Sequence, residues 1–209
     1  MLASMARRAD KTQANRQRMR AAAQALFTTR GYSATSMQAI ADEAGMAVQT
    51  LYFTFGTKRA LLGELLDVAV AGDDEPVPTL DRPRVRAAIA DPDPEAQLRA
   101  QARLAREIYE RVAPVLQVVA HAATADAEIH ELWETNNAQR AVVMEQLIAA
   151  LAAKTPLRAE LDAAEATDVA LALLSPEVYQ FFTVRRGWEP ARWEKWTAAA
   201  LVTQLLPDR

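Results

Sequence analysis

Between Thr35 and Lys58 the chain reads TSMQAIADEAGMAVQTLYFTFGTK, and no other stretch limits the possible folds as tightly. Ala39, Ile40, Ala44, Leu51 and Phe55 can form one inner apolar surface, which predicts two short helices at a tight corner and a third helix starting at Thr57. Gly45 supplies the positive-φ residue at which the first of them stops. The edge left outside is polar: Ser36, Gln38, Gln49, Thr50, Tyr52 and Thr54. Their side chains are short or carry amides, suited to phosphates and base edges, and no acidic residue between Ala44 and Lys58 repels a polyanion. The pattern is that of a helix-turn-helix.

Charge supports the same front. The chain of 209 residues carries a net charge of −3, yet residues 1–60 hold nine Lys or Arg against three acids, a net of +6 that leaves −9 on the rest. Such asymmetry suggests a basic face for a polyanion and a body that does not touch it. There is no cysteine, so neither a disulfide framework nor a Cys-based zinc site is available, in keeping with a reducing cytoplasm. Apolar runs are short and broken by charges, which excludes a membrane span, and the start lacks the apolar stretch of a secretion signal. The two histidines, His121 and His130, lack the carboxylate spacing of a metal bundle, and no cofactor is expected.

Taken in order, residues 1–10 read as a mobile arm whose Arg7 and Arg8, with Lys11, can follow a phosphate backbone. Lys11 to Arg30 is a helix with Met19, Ala22, Ala23, Leu26 and Phe27 on one face. All ten prolines come after residue 75, and Gly31, Gly45 and Gly56 mark the corners of the head. Thr57 caps a helix through Leu61, Leu62, Leu65 and Leu66 to about Val70. The acidic, proline-rich stretch 72–83 is a loop, followed by a short helix 84–90 and a longer one begun by Asp93-Pro94, which Pro114 breaks or kinks. A long helix is predicted over 126–154, with Asn136 and Arg140 within roughly 20° of the centre of its apolar stripe and so turned inward. Helices over 162–174, from Ser175-Pro176 through Val184 to Gly187, and from Pro190 complete the chain. No stretch alternates as a strand, so the fold class is all-α.

The run from Ala22 through Leu62, including ALFTTRGYSATSMQAIADEAG and TLYFTFGTKRALL, resembles the DNA-binding domain of TetR-family transcriptional regulators. The segment SPEVYQFFTVRRGWEPARWEKW resembles the paired C-terminal helices of actinobacterial-type members. The resemblance implies a three-helix DNA-binding head over 1–56, arm included, and a ligand-binding and dimerisation body over 57–209, with residues 57–71 as the linking helix. It places Ser36, Met37, Val48, Gln49, Thr50, Tyr52, Thr54 and Lys58 against operator DNA, Lys58 on a phosphate. By chemistry Gln49 suits adenine, Val48 or Met37 a thymine methyl, and Ser36, Thr50 and Tyr52 phosphate oxygens. Ala47 stands where a capping Ser is common, and Phe53-Thr54 replaces the frequent Tyr-His pair.

The resemblance further implies a homodimer that pairs its C-terminal helices, here through Val178, Phe181, Trp193, Trp196, Ala200 and Leu201; the alternative, that the tryptophans fill a monomer core, is disfavoured. A small-molecule effector is implied in the body. Tyr109, His121, Trp133, Asn136, Arg140 and Met144 are the candidates for its cavity, Arg140 favouring an aromatic or acidic molecule. The alternative for Arg140 is an internal pair with Glu107 or Glu110, or a place at the dimer seam. For the whole chain the expected activity is ligand-responsive repression from a palindromic operator. The rivals are a DNA-binding dimer without an inducer and an all-helical enzyme or carrier.

Overall fold

The computed structural model describes residues 2–75, 77–159 and 161–207, with side chains from Lys11 onward. Among the described residues the chain is helical without strands. Contacts divide it into two compact units, one of residues 1–69 with 114–133, the other of residues 70–113 with 134–209.

The first unit begins with α1 (Leu2–Arg30). Its backbone is already helical at Leu2, which corrects the expected mobile arm, and Arg7 and Arg8 lie outside the described side chains. The stripe Met19, Ala23 and Phe27 is buried as its spacing requires. α2 (Met37–Ala44) starts where the Ser36 hydroxyl accepts a hydrogen bond from the Ala39 amide at 3.1 Å. It ends at Gly45, whose φ of 64° lets the Met46 amide turn back to the Ala41 carbonyl. α3 (Val48–Phe55) has no side-chain cap, because Ala47 has none to offer. α4 (Lys58–Ala71) is capped by Thr57, whose hydroxyl accepts from the Ala60 amide at 3.0 Å. Ile40 and Ala41 from α2, Leu51 from α3, and Leu61, Leu62 and Leu66 from α4 are buried with Phe27. Each large side chain so buried contributes on the order of 1.5–3 kcal/mol.

After a 3-10 turn (Thr79–Asp81) and α5 (Pro83–Ala90), α6 runs over Pro94–Ala123 and α7 over Ala127–Ala152. Pro114 does not break α6. Proline removes one backbone donor and would leave the Glu110 carbonyl unpaired, but both residues are exposed, so water can serve that carbonyl. The ends 114–123 and 127–133 of these helices belong to the first unit, to which Val115, Leu116, Val119 and Ile129 give buried side chains.

The second unit holds the rest of α6 and α7 with α8 (Ala163–Leu173), α9 (Pro176–Gln180) and α10 (Pro190–Leu205). Asp162 and Glu165 form a reciprocal capping box at α8. Ser175 caps α9, and Pro176 and Pro190 occupy first-turn positions where a missing amide costs nothing. The helix expected through Val184 is α only to Gln180; residues Phe181–Arg185 wind as a π turn before Gly187. Leu98, Val112, Ile148, Leu151, Trp193 and Leu201 form the centre of this unit's core.

Candidate nucleic-acid interface

α3 projects its two core residues inward, Leu51 at 0% and Phe55 at 8% exposure, and leaves Gln49, Thr50, Tyr52 and Phe53 in solvent. Val48 is half-buried. Thr54 is half-buried too, and its hydroxyl donates back to the Thr50 carbonyl at 2.7 Å. At the start of α2, Ser36 is exposed while serving as cap, so its oxygen already holds the Ala39 amide. Gln38 donates to Asp42 at 2.7 Å along the outer side of α2.

One expected contact is corrected, and the side chain expected at a second is engaged within the fold. Met37 is 6% exposed and packs on the inner face of α2 with Ile40, Ala41 and Ala44, so its side chain does not reach a thymine methyl. Lys58 is engaged within the head: its Nζ donates to the carbonyls of Tyr32 and Thr35, both at 2.9 Å, and sits 4.1 Å from the centre of the Tyr32 ring. Partial burial lowers the Lys58 pKa, with the nearby Asp126 carboxylate working in the opposite direction. Burial, with the charges of Asp126 and Glu128, pushes the Tyr32 phenol up to about 12. Lys58 therefore staples the start of α4 to the turn between α1 and α2.

Most of the basic charge counted in the sequence is used in the same way. Arg16 forks onto the Glu64 carboxylate, and Arg20 reaches it at 2.9 Å. Burial raises the Glu64 pKa, but the hydrogen bonds and charges of the two arginines outweigh that and hold it below the usual carboxylate value. Arg18 donates to the Ala44 carbonyl at 2.7 Å, and Arg59 to the Glu128 carbonyl at 3.1 Å. Among the described basic side chains of residues 11–60, only the exposed Lys11 and Arg30 make no bond within the protein. The reading surface is thus neutral and hydrogen-bonding, carried on a head whose cations mainly fix its helices.

Residues 20–65 match the family model of the bacterial regulatory proteins of the tetR family. Residues 20–65 are thus a tetR-type domain. No curated protein matches the sequence. Among solved structures, NalD, the secondary repressor of the MexAB-OprM multidrug efflux pump in Pseudomonas aeruginosa, superposes with a TM-score of 0.71 at 21% identity, over 96% of this chain and 100% of that one. The MbdR regulator of Azoarcus sp. CIB gives 0.68 at 19% identity, over 92% and 99%. A Saccharomonospora viridis protein solved in complex with choline gives 0.66 at 19%, over 93% and 98%. At these identities the likeness is one of fold. The head is thus the TetR-type DNA-binding domain of a transcriptional regulator, which leaves the enzyme reading without support.

The body residues named from the sequence differ in their surroundings. His121 is exposed near the end of α6 and lines no interior. Trp133 is half-buried in the first unit, whereas Tyr109, Asn136, Arg140 and Met144 belong to the second. Tyr109 is buried: its hydroxyl donates to the Leu174 carbonyl, and its ring lies 5.4 Å from Tyr179 and 6.0 Å from Trp193. Burial raises the Tyr109 pKa against the charge and hydrogen bond of Arg140. Arg140 has no carboxylate partner among the described residues, since Glu107 pairs with Arg84 and Glu110 with Arg106. Asn136 and Met144 are buried on α7.

The tail residues also divide. Trp193 and Leu201 are fully buried, so they are core of the second unit rather than interface. Phe181 and Trp196 are 48% and 37% exposed, and Val178 and Ala200 are half-buried. Three exposed apolar residues among those described escaped the sequence reading: Val142 at 53%, Val184 at 67% and Phe53 at 94%. The π turn turns Val184 outward. For Phe53 the signal was its phase on α3, opposite Leu51 and Phe55.

Proposed function

We propose that the chain is a ligand-responsive transcriptional regulator that binds a palindromic operator as a homodimer in the cytoplasm and leaves it when a small molecule occupies the body. The observation that carries this reading is the solvent-facing, carboxylate-free surface of α3 on a TetR-type head. Gln49 reads adenine, and Thr50, Tyr52 and Ser36 position the helix on phosphates. One such helix covers a few base pairs, so the dimer sets two heads about 34 Å apart, or a multiple of that, on the two half-sites. Residues 1–56 act as the head, 57–209 as the regulatory body, and 57–71 as the link.

Phe181, Val184 and Trp196 support a dimer surface, being an apolar group left in solvent by the second unit. The half-buried Arg140, beside the Tyr109 hydroxyl and with no carboxylate partner among the described residues, supports an acidic or aromatic effector. The choline complex of the Saccharomonospora viridis protein supports a small-molecule ligand for a chain of this fold. Selection of the full chain against a random-sequence duplex pool tests the DNA reading. A palindrome should be enriched, with affinity falling steeply as salt rises. Enrichment of no sequence refutes it. Small molecules that raise the melting temperature by mass action should also release the duplex, and Arg140→Met should abolish that release without weakening DNA binding.

A further inference from the structure

Phe53 is a large apolar side chain standing almost wholly in water, at 94% exposure, on a helix of eight residues. The head does bury aromatic rings, Phe27 being 1% exposed, Tyr32 8% and Phe55 8%; Tyr52 is 53% exposed but carries a hydroxyl that water can serve, which Phe53 lacks. Nothing in the fold requires an aromatic at position 53. Its direction is fixed by the helix. At about 100° per residue, the midpoint of the buried pair Leu51 and Phe55 lies roughly 180° from Phe53, so Phe53 is the outermost point of α3. Gln49 and Thr50, both exposed, flank it within roughly 60° on either side.

We propose that Phe53 is a specificity-determining residue that packs on the 5-methyl groups of thymines in the major groove, beside the base that Gln49 reads. This rests on the DNA-binding function proposed above and adds a second, apolar element to its code. The occupant is duplex DNA rather than protein. The surface around the ring is hydrogen-bonding and lacks a carboxylate from Ala44 to Lys58, as a polyanion needs, and it is continuous with Gln49 and Thr50. Phenylalanine has no hydroxyl for a phosphate oxygen. What it offers at a groove floor is apolar contact, and the thymine methyl is the apolar group exposed there.

The test uses the full chain and a duplex enriched from the random pool. Each thymine in a half-site is replaced in turn by uracil, which removes only the methyl group. Wild-type affinity should fall about fourfold for each contacted methyl, the worth of one buried carbon. Phe53→Ala should bind the thymine duplex correspondingly more weakly and be indifferent to uracil, whereas Phe53→Leu should keep part of the discrimination. As the ring is solvent-exposed, all three proteins should melt alike. Two results overturn the inference while leaving the DNA-binding reading intact. One is a wild-type protein indifferent to every uracil, with Phe53→Ala weaker on all duplexes equally, which marks a sugar-backbone contact. The other is a Phe53→Ala protein with unchanged affinity and an altered oligomeric state by light scattering, which marks a protein contact. If no duplex is enriched at all, both readings fall together.

Discussion

Replacing Lys58 with Met separates two accounts of one lysine. In the structure its Nζ donates to the Tyr32 and Thr35 carbonyls at 2.9 Å each and lies 4.1 Å from the Tyr32 ring centre. Methionine keeps most of the stem packing and removes the charge and the donors. The Tyr32 carbonyl retains the Thr35 amide at 3.2 Å, so the carbonyl left without a partner is that of Thr35, a residue 1% exposed. Leaving one such group unpaired costs about 1–3 kcal/mol. Losing the cation from the Tyr32 ring adds roughly 0.5–1 kcal/mol at a partly exposed site. The expected loss is about 2 kcal/mol, or a fall in melting temperature of roughly 4–8 °C for a chain of this size. Circular dichroism melts at one fixed protein concentration measure it. The opposing account, a lysine that neutralises a phosphate, predicts unchanged melting and a salt slope of DNA binding shallower by about one. Melting within about 1 °C of wild type, together with the shallower slope, would refute the staple.

Two further outcomes follow from the packing. Because Arg16 and Arg20 hold the Glu64 pKa below its usual 4.5, the stability this carboxylate contributes is complete above that value and is lost as pH falls through the lower, folded-state pKa. The difference in urea midpoint between wild type and Glu64→Gln should therefore be constant near neutrality and shrink below about pH 4.5; a pH-independent difference refutes the assignment. In the tail, Val184→Glu should convert a dimer to monomer in light scattering with little change in melting. Leu201→Ala, at a fully buried position, should destabilise by about 2–5 kcal/mol; a dimer unaffected by Val184→Glu excludes that residue from the interface.

How far the sequence could be read depended on the range of the interaction. Helix ends were legible because their causes are local: Ser36, Gly45, Thr57, Asp162, Pro176 and Pro190 act within a turn of where they stand. The engagement of Lys58 within the head was not legible because its partners are backbone carbonyls 26 and 23 residues away, and a carbonyl leaves no mark in a sequence. Trp193 and Leu201 were placed at a dimer surface by likeness to a family pattern. The steps of four through Trp193, Thr197, Leu201 and Leu205 in fact trace the buried stripe of α10 and leave Trp196 to its side.

Phe53 was missed for a different reason. An apolar period identifies the inward face of a helix by assuming that apolar residues go inward, so an apolar residue at the opposite phase counts only as noise. Exposure removes that assumption. On α3 the inward positions Leu51 and Phe55 satisfy the fold and would be needed in any chain that packs this corner. The outward positions Gln49, Thr50 and Phe53 contribute little to folding, and their chemistry is free to be set by what they touch. The residue on this helix that most violates the folding rule is therefore the one whose identity the fold explains least, and a partner outside the fold most.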